Sequence, residues 1–260
     1  MFSSLAGRTY IVTGGASGIG LATVNKLLGL SATVHVIDRA REPPKITAGA
    51  GKVHTYPDID VSSRQAVADT FKTIVDCTPT ISGLVNAAGI SPSGNYDMAG
   101  EGYAIEKDET YARIMDINAG GTWNATTELL RHTLASKRAE GGMVSIVNIG
   151  SLASLRGIRM MAAYCASKHA VLGMTRSWAL EYADQGIRVN LIAPGLIRTP
   201  LGMKAVGSED ERTKVAQAYA DGIPMKRIGE PDDIAGPIVF LLSDEASYMT
   251  GEAILVGGGL

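Results

Sequence analysis

Short aliphatic runs bounded by Gly, Pro, Asn or Asp recur along the chain: TYIVTGG, ATVHVIDR, KVHTYPDID, SGLVNAAG, MVSIVNIGS, IRVNLIAPG and EAILVGGG. Their length and nearly unbroken apolar character predict seven buried strands. Between most of them the pattern takes on helical periodicity, as in IGLATVNKLLGL, SSRQAVADTFKTIV and the run from Tyr164 to Ala183. Strand alternating with helix implies parallel pairing through right-handed crossovers. The expected fold class is α/β, with residues 1–260 forming a single doubly wound domain whose seven-stranded parallel sheet carries helices on both faces. In such sheets ligands bind beyond the carboxyl ends of the strands, so the residues just after each strand are where chemistry is expected.

Two segments interrupt the alternation. Residues 91–110 are rich in Ser, Gly and acids, and residues 199–224 have weak helical patterning; both are read as binding loops, the second as a substrate-binding loop and helix region. With 45% hydrophobic and 19% charged residues, the chain can fill a sizeable core and shows no sign of disorder. A formal net charge of -2 with interleaved signs argues against a nucleic-acid partner, since phosphate neutralisation calls for a clustered basic face, and none is expected. Cys77 and Cys165 are too few for a disulfide framework, and the four histidines are scattered, so no metal site is predicted and a reducing cytoplasm is expected. Every long apolar stretch is broken by charge or glycine, which predicts no membrane span.

The first strand runs into TGGASGIG, residues 13–20, and then into a helix. Gly14 permits a tight turn, Gly18 lets the backbone approach a pyrophosphate, and Gly20 lets the helix lie close to the strand. This is the Rossmann-like arrangement, although the spacing G-x-x-x-G-x-G departs from the strict dinucleotide pattern. The second strand ends in Asp38, roughly 20 residues beyond the glycines, where a carboxylate accepts hydrogen bonds from the adenosine ribose. A 2′-phosphate would be repelled there, which favours NAD; Arg39, next in line, keeps NADP as the alternative.

Tyr164 is followed four residues later by Lys168 in a helical stretch, and residues i and i+4 share a helix face. A phenol near pKa 10 is a poor base at neutral pH, and nearby positive charge from the lysine and an oxidised nicotinamide would favour its phenolate and tune it for proton transfer. Ser151 follows the strand MVSIVNIG, where its hydroxyl could stabilise charge on a substrate oxygen; Ser154 is the nearby competitor. Cys165, beside the tyrosine, points about 100° away on the helix and is read as packing. Trp123 and Trp178 are read as core aromatics.

Together these residues resemble the short-chain dehydrogenase/reductase family over Gly7 to Gly259. TGGASGIG looks like the family's T-G-x-x-x-G-x-G turn, NAAG (Asn86 to Gly89) like its strand-four motif, and YCASK like Y-x-A-S-K. IRVNLIAPGLIRTP resembles the stretch that closes over the nicotinamide. The resemblance implies coenzyme contacts at Gly14, Ser17, Gly18, Ile19, Gly20, Asp38, Asp60, Val61, Asn86, Tyr164, Lys168, Pro194, Gly195, Ile197 and Thr199, with Asp60 and Val61 at the adenine. It implies a catalytic set of Asn118, Ser151, Tyr164 and Lys168. Asn118 would kink a helix and hold a relay water, and Ser151, thirteen residues before Tyr164, is selected over Ser154. It also implies a homotetramer, with a dimer as the alternative. Two departures stand out. Gly257 occupies a position that is commonly acidic, and the segment from Ile90 to Asp116 is longer than usual, which would remodel one wall of the substrate pocket.

The expected activity is hydride transfer between NAD(H) and a secondary alcohol or ketone, on a bulky apolar or cyclic skeleton such as a terpenoid or steroid. Reduction of a 3-oxoacyl thioester is the alternative enzyme reading. A scaffold that binds NAD without turnover is a third, and the presence of all four catalytic residue types argues against it.

Overall fold

The computed structural model describes residues 5–42, 46, 49–92, 96–98, 104–136, 143–204 and 212–260. Along the chain run β1 (Thr9–Thr13), α1 (Gly18–Gly29), β2 (Thr33–Ile37), β3 (Lys52–Tyr56), α2 (Arg64–Cys77) and β4 (Gly83–Asn86). Then come β5 (Tyr96–Met98), β6 (Ala104–Glu106), α3 (Asp108–Ile114), α4 (Gly121–Ala135), β7 (Val144–Ile149) and α5 (Ala162–Tyr182). The chain closes with β8 (Ile187–Pro194), α6 (Pro200–Lys204), α7 (Arg212–Gly222), α8 (Pro231–Leu242) and β9 (Ala253–Val256).

Seven strands form one sheet in the order β3-β2-β1-β4-β7-β8-β9. Every pairing in it is parallel. Because both faces are covered, successive side chains of one strand enter different cores. In β1, Tyr10 and Val12 pack with Val24 and Leu27 of α1 and Ile234 and Ile238 of α8. Between them Ile11 points the other way, to Val67 and Phe71 of α2, Leu129 of α4 and Trp178 of α5. That double burial is why the strands read as unbroken apolar runs rather than as alternating patterns.

The two edge strands differ from their expected burial: in β9, Ala253, Ile254 and Val256 are half-buried and Leu255 is exposed. Lys52 to Thr55 are exposed, because β3 is the opposite sheet edge and carries no further neighbour. Its His54 stacks on buried His35 of β2 at 4.8 Å between ring centroids, and His35 Nδ1 lies 3.0 Å from the Tyr56 hydroxyl. The segment 91–110 is not only loop: β5 and β6 pair antiparallel as a small hairpin that leads into α3. The weak helical pattern of 199–224 resolves into α6 and α7, and the acidic run at 208–212 lies almost wholly outside the described residues. Trp123 is half exposed and lies over Trp178 at 5.7 Å between ring centroids, so only Trp178 is a core residue.

The strand order reverses between β1 and β4, and the chain leaves these neighbouring strands for opposite sides of the sheet. A crevice opens at such a switch point, beyond the carboxyl ends of the strands.

Candidate active site

A cleft of about 880 Å³ occupies that crevice. The segments that follow β1, β2, β3, β4, β7 and β8 all reach it, contributing Gly14, Asp38, Asp60, Ala88, Ser151 and Gly195 among others.

At one end lies the glycine turn. Gly14 has φ +68, and a Cβ there would stand 2.6 Å from the backbone nitrogen of Ala88; a Cβ on Gly20 would stand 2.1 Å from the Gly14 carbonyl oxygen. Only hydrogen fits at either place, and that closeness brings the start of α1 to the cleft floor. Ser17, the residue preceding α1, makes no side-chain cap, and the first turn of α1 holds no acidic residue. The first-turn N–H groups therefore face the cleft unpaired, with the positive end of the helix dipole behind them, which suits an anionic pyrophosphate.

Asp38 is fixed rather than merely exposed. Its Oδ2 accepts the Ala16 N–H at 2.8 Å and its Oδ1 accepts the Ala40 N–H at 2.9 Å, so the carboxylate is tied to the glycine turn and keeps lone pairs for a ligand. Asp60 accepts both the N–H and the hydroxyl of Ser62, and that hydroxyl bond holds its carboxyl below the usual range. Val61 beside it is buried and lines the cleft. Pro194, Gly195, Ile197 and Thr199 line the opposite wall, where Thr199 Oγ1 accepts the Gly202 N–H at 2.9 Å and fixes the start of α6.

In the middle of the cleft, Ser151, Tyr164 and Lys168 converge. Lys168 is 5% exposed; its Nζ donates to the Ile149 carbonyl at 2.8 Å and lies 5.7 Å from the centre of the Tyr164 ring. Burial pulls the Lys168 ammonium down to about 8. Burial also pushes the Tyr164 phenol up, opposed by its hydrogen bond with Ser151. The lowering expected from the lysine and an oxidised nicotinamide together is a property of the coenzyme complex; in the protein alone, desolvation of the phenolate dominates. Of the two serines, Ser154 is fully buried and accepts the Ser151 N–H at 3.1 Å, while Ser151 lines the cleft.

The chain thus sets the uncapped start of α1, the Asp38 carboxylate and a Ser-Tyr-Lys cluster in one crevice. The family model described as "Enoyl-(Acyl carrier protein) reductase" matches residues 14–260. The chain is 35% identical over 271 residues to 2-(S)-hydroxypropyl-CoM dehydrogenase 3 of Xanthobacter autotrophicus, covering 100% of this chain and 99% of that one. It belongs to the short-chain dehydrogenase/reductase family. A 3-oxoacyl-(acyl-carrier-protein) reductase of Thermotoga maritima is 34% identical over 98% of both chains. The ligand-free aldohexose dehydrogenase of Thermoplasma acidophilum has the same fold, with TM-score 0.83 and 32% identity over 100% of this chain and 96% of its own. The protein is accordingly an oxidoreductase of CH–OH groups that uses a nicotinamide dinucleotide.

Two asparagines of this short-chain dehydrogenase/reductase sit away from the cleft surface. Asn86, expected at the adenosine, is buried in the sheet, where its Nδ2 donates to Asn148 and Thr126; Ala87, Ala88 and Gly89 line the cleft at the end of β4. Asn118 lies in a π-helical turn, Met115–Gly120, between α3 and α4, which is the helix irregularity expected there. Its Oδ1 accepts the Ile90 N–H, and its Nδ2 donates to the Ile90 carbonyl and to Ser167 Oγ. Ser167 in turn donates to the Tyr164 carbonyl, so Asn118 clamps the β4 loop to the first turn of α5.

Glu106 is a residue that sequence reasoning missed. The residue preceding α5, Met161, makes no side-chain cap, and the Ala163 N–H is instead accepted by Glu106 Oε2 at 2.7 Å. The hairpin inserted after β4 thereby caps the helix that carries Tyr164, one residue before it. The absence of Ser, Thr, Asp or Asn just before YCASK was the available signal, since an uncapped buried helix start must find its acceptor elsewhere.

Proposed function

We propose that the protein catalyses reversible hydride transfer between NAD(H) and a secondary alcohol or ketone. The convergence of Ser151, Tyr164 and Lys168 on the cleft that also holds Asp38 and the open end of α1 carries this reading. The bound dinucleotide supplies the hydride acceptor or donor at its nicotinamide ring. Its pyrophosphate is held by the first turn of α1, its adenosine by Asp38, Asp60 and Val61, and its carboxamide side by Ile197 and Thr199. Lys168 spends one proton on Ile149 and offers the others to ribose hydroxyls.

Ser151 hydrogen-bonds the substrate oxygen and holds it against the Tyr164 hydroxyl. The Tyr164 phenol gives its proton to a ketone oxygen as the acid; in the oxidation direction its proton first leaves through the relay to solvent, and the resulting phenolate takes the alcohol's proton. Asn118 supports the site through α5 and the relay to solvent. The α6 and α7 region forms the substrate wall with Leu201, Tyr219 and Ile223, whose apolar character suits a bulky or cyclic skeleton. Assembly as a homotetramer in the cytoplasm completes the reading.

The experiment is to follow nicotinamide absorbance with NAD or NADP across a panel of secondary alcohols; substrate-dependent reduction supports the reading, and its absence across alcohols and ketones of varied size counts against it. A second reading, reduction of a 3-oxoacyl thioester, is favoured by the Thermotoga maritima relative and is separated by comparing thioesters with free ketones. NAD preference rests on Asp38. Asp38→Asn is expected to raise the NAD dissociation constant by about tenfold or more, with a smaller change or a gain for NADP. Equal losses for the two would remove the carboxylate from coenzyme selection.

A further inference from the structure

We infer that the substrate carries an anionic group at the end remote from its carbinol carbon, held by Arg156 and Arg159. This rests on the hydride-transfer reading above and adds the substrate's charge to it.

The charged side chains that line the cleft divide by topology. Asp38, Arg39 and Asp60 follow β2 and β3, on the adenosine side of the switch point. On the side of β7, beyond Lys168, the charged side chains lining the cleft are Arg156 and Arg159, and no carboxylate side chain lines that side among the described residues. Neither guanidinium has a hydrogen-bonding or ion-pair partner among the described residues, whereas Arg8, Arg64, Arg198 and Arg227 each pair with a carboxylate. Two exposed guanidinium groups left unpaired on this side of the cleft favour an anion there.

Their backbone is held in place. Both residues lie between Ser151 and Tyr164, on the segment that joins the two catalytic side chains. The Arg156 N–H donates to the Leu152 carbonyl at 3.2 Å, continuing the helical turn that Ser151 starts. Arg159 lies in a turn closed by the Met161 N–H on the Ile158 carbonyl, with Met160 in the left-handed region at φ +60. The Ile158 N–H donates to Cys165 Sγ at 3.3 Å, which ties the turn to α5. Leu152, Ile158, Met161, Leu201 and Ile223 give this part of the cleft apolar walls. A carbinol at Tyr164, an apolar body against those side chains and a sulfonate, carboxylate or phosphate at the two arginines together fit that lining.

The test compares secondary alcohols of one carbon skeleton ending in a methyl, carboxylate, sulfonate or phosphate group, with NAD as coenzyme. The anionic members are expected to exceed the methyl compound in kcat/KM by about tenfold to a hundredfold, the strength of one to two charge-assisted hydrogen bonds, mainly through KM. The advantage should shrink as potassium chloride is added. In the double variant R156Q/R159Q, its fold confirmed by circular dichroism, the anionic-to-neutral ratio should fall to about one; the best terminal group identifies the kind of anion. Equal kcat/KM for charged and neutral alcohols, or a ratio that survives in the double variant, overturns the inference while leaving hydride transfer intact. If no alcohol is turned over, the hydride-transfer reading fails separately. Calorimetric titration of the anionic ketones into the NAD-loaded protein then decides the inference: binding that the double variant loses supports it, and binding that is absent or unchanged in the variant overturns it.

Discussion

Replacing Tyr164 with Phe is expected to lower kcat by about a hundredfold to ten-thousandfold, the range spanned by a positioned acid or base, while coenzyme affinity is retained. The side chain is 9% exposed, its ring lies among Ala153, Cys165, Ile158 and Met161, and its hydroxyl bonds Ser151. Phe preserves that packing and removes one oxygen, so a loss of rate cannot be assigned to a lost fold. The coenzyme contacts proposed at α1, Asp38 and Lys168 remain. Steady-state kinetics and NADH fluorescence titration on the same preparations check both halves. A variant that keeps more than about a tenth of the wild-type rate would remove Tyr164 from proton transfer, because even the weaker acid–base contributions exceed that.

Lys168→Met should separate function from stability in opposite directions. A folded-state pKa near 8, against 10.5 for the free side chain, means that the unfolded chain binds a proton the folded chain has lost between those values. Stability contributed by this site therefore rises with pH across that window, and below pH 8 the buried ammonium costs the fold about 3 kcal/mol. Met fills similar volume without charge. It also leaves the Ile149 carbonyl without its donor, which returns about 1 kcal/mol of the gain. The variant is expected to unfold a few degrees higher than the wild type at pH 7, with the difference shrinking toward pH 10. Turnover should fall by at least about a hundredfold, since the proton-transfer cluster loses its cation. Thermal unfolding by circular dichroism at pH 7 and near pH 10 checks the stability side, and a lower melting temperature for the variant at both would show that Lys168 supports the fold rather than straining it.

The strands that the amino-acid pattern reveals most plainly are those buried on both faces. Val12, Val36, Val85, Val147 and Ile192 all lie in the sheet core, and their runs declare the strands without any turn signal. β3, KVHTY, has a single aliphatic residue, and its position at the edge depends on which strand it pairs with, a property of the whole sheet. The hairpin of β5 and β6 has only three residues in each strand, too few to establish a period.

At the site, Ser151, Tyr164 and Lys168 were legible because helix and strand periodicity places them locally. Long-range ties such as Glu106 to Ala163 or Asn118 to Ile90 join residues with no mutual spacing rule, and they emerge only when the β4 loop and α5 meet. The burial of the phenol and the ammonium was illegible for a related reason. Sequence spacing shows the ammonium beside the ring, whereas the depth of burial that dominates both groups comes from the assembled fold.

The central claim is that one cleft passes a hydride directly between the carbinol carbon and the dinucleotide. Its most direct test uses a secondary alcohol turned over by the enzyme and carrying deuterium on the carbinol carbon, with the reduced coenzyme recovered and analysed by mass spectrometry and proton NMR. The account predicts one deuterium on C4 of the nicotinamide ring, on a single face, and none in solvent. Ketone formation with unlabelled coenzyme, or with label lost to water, would contradict it.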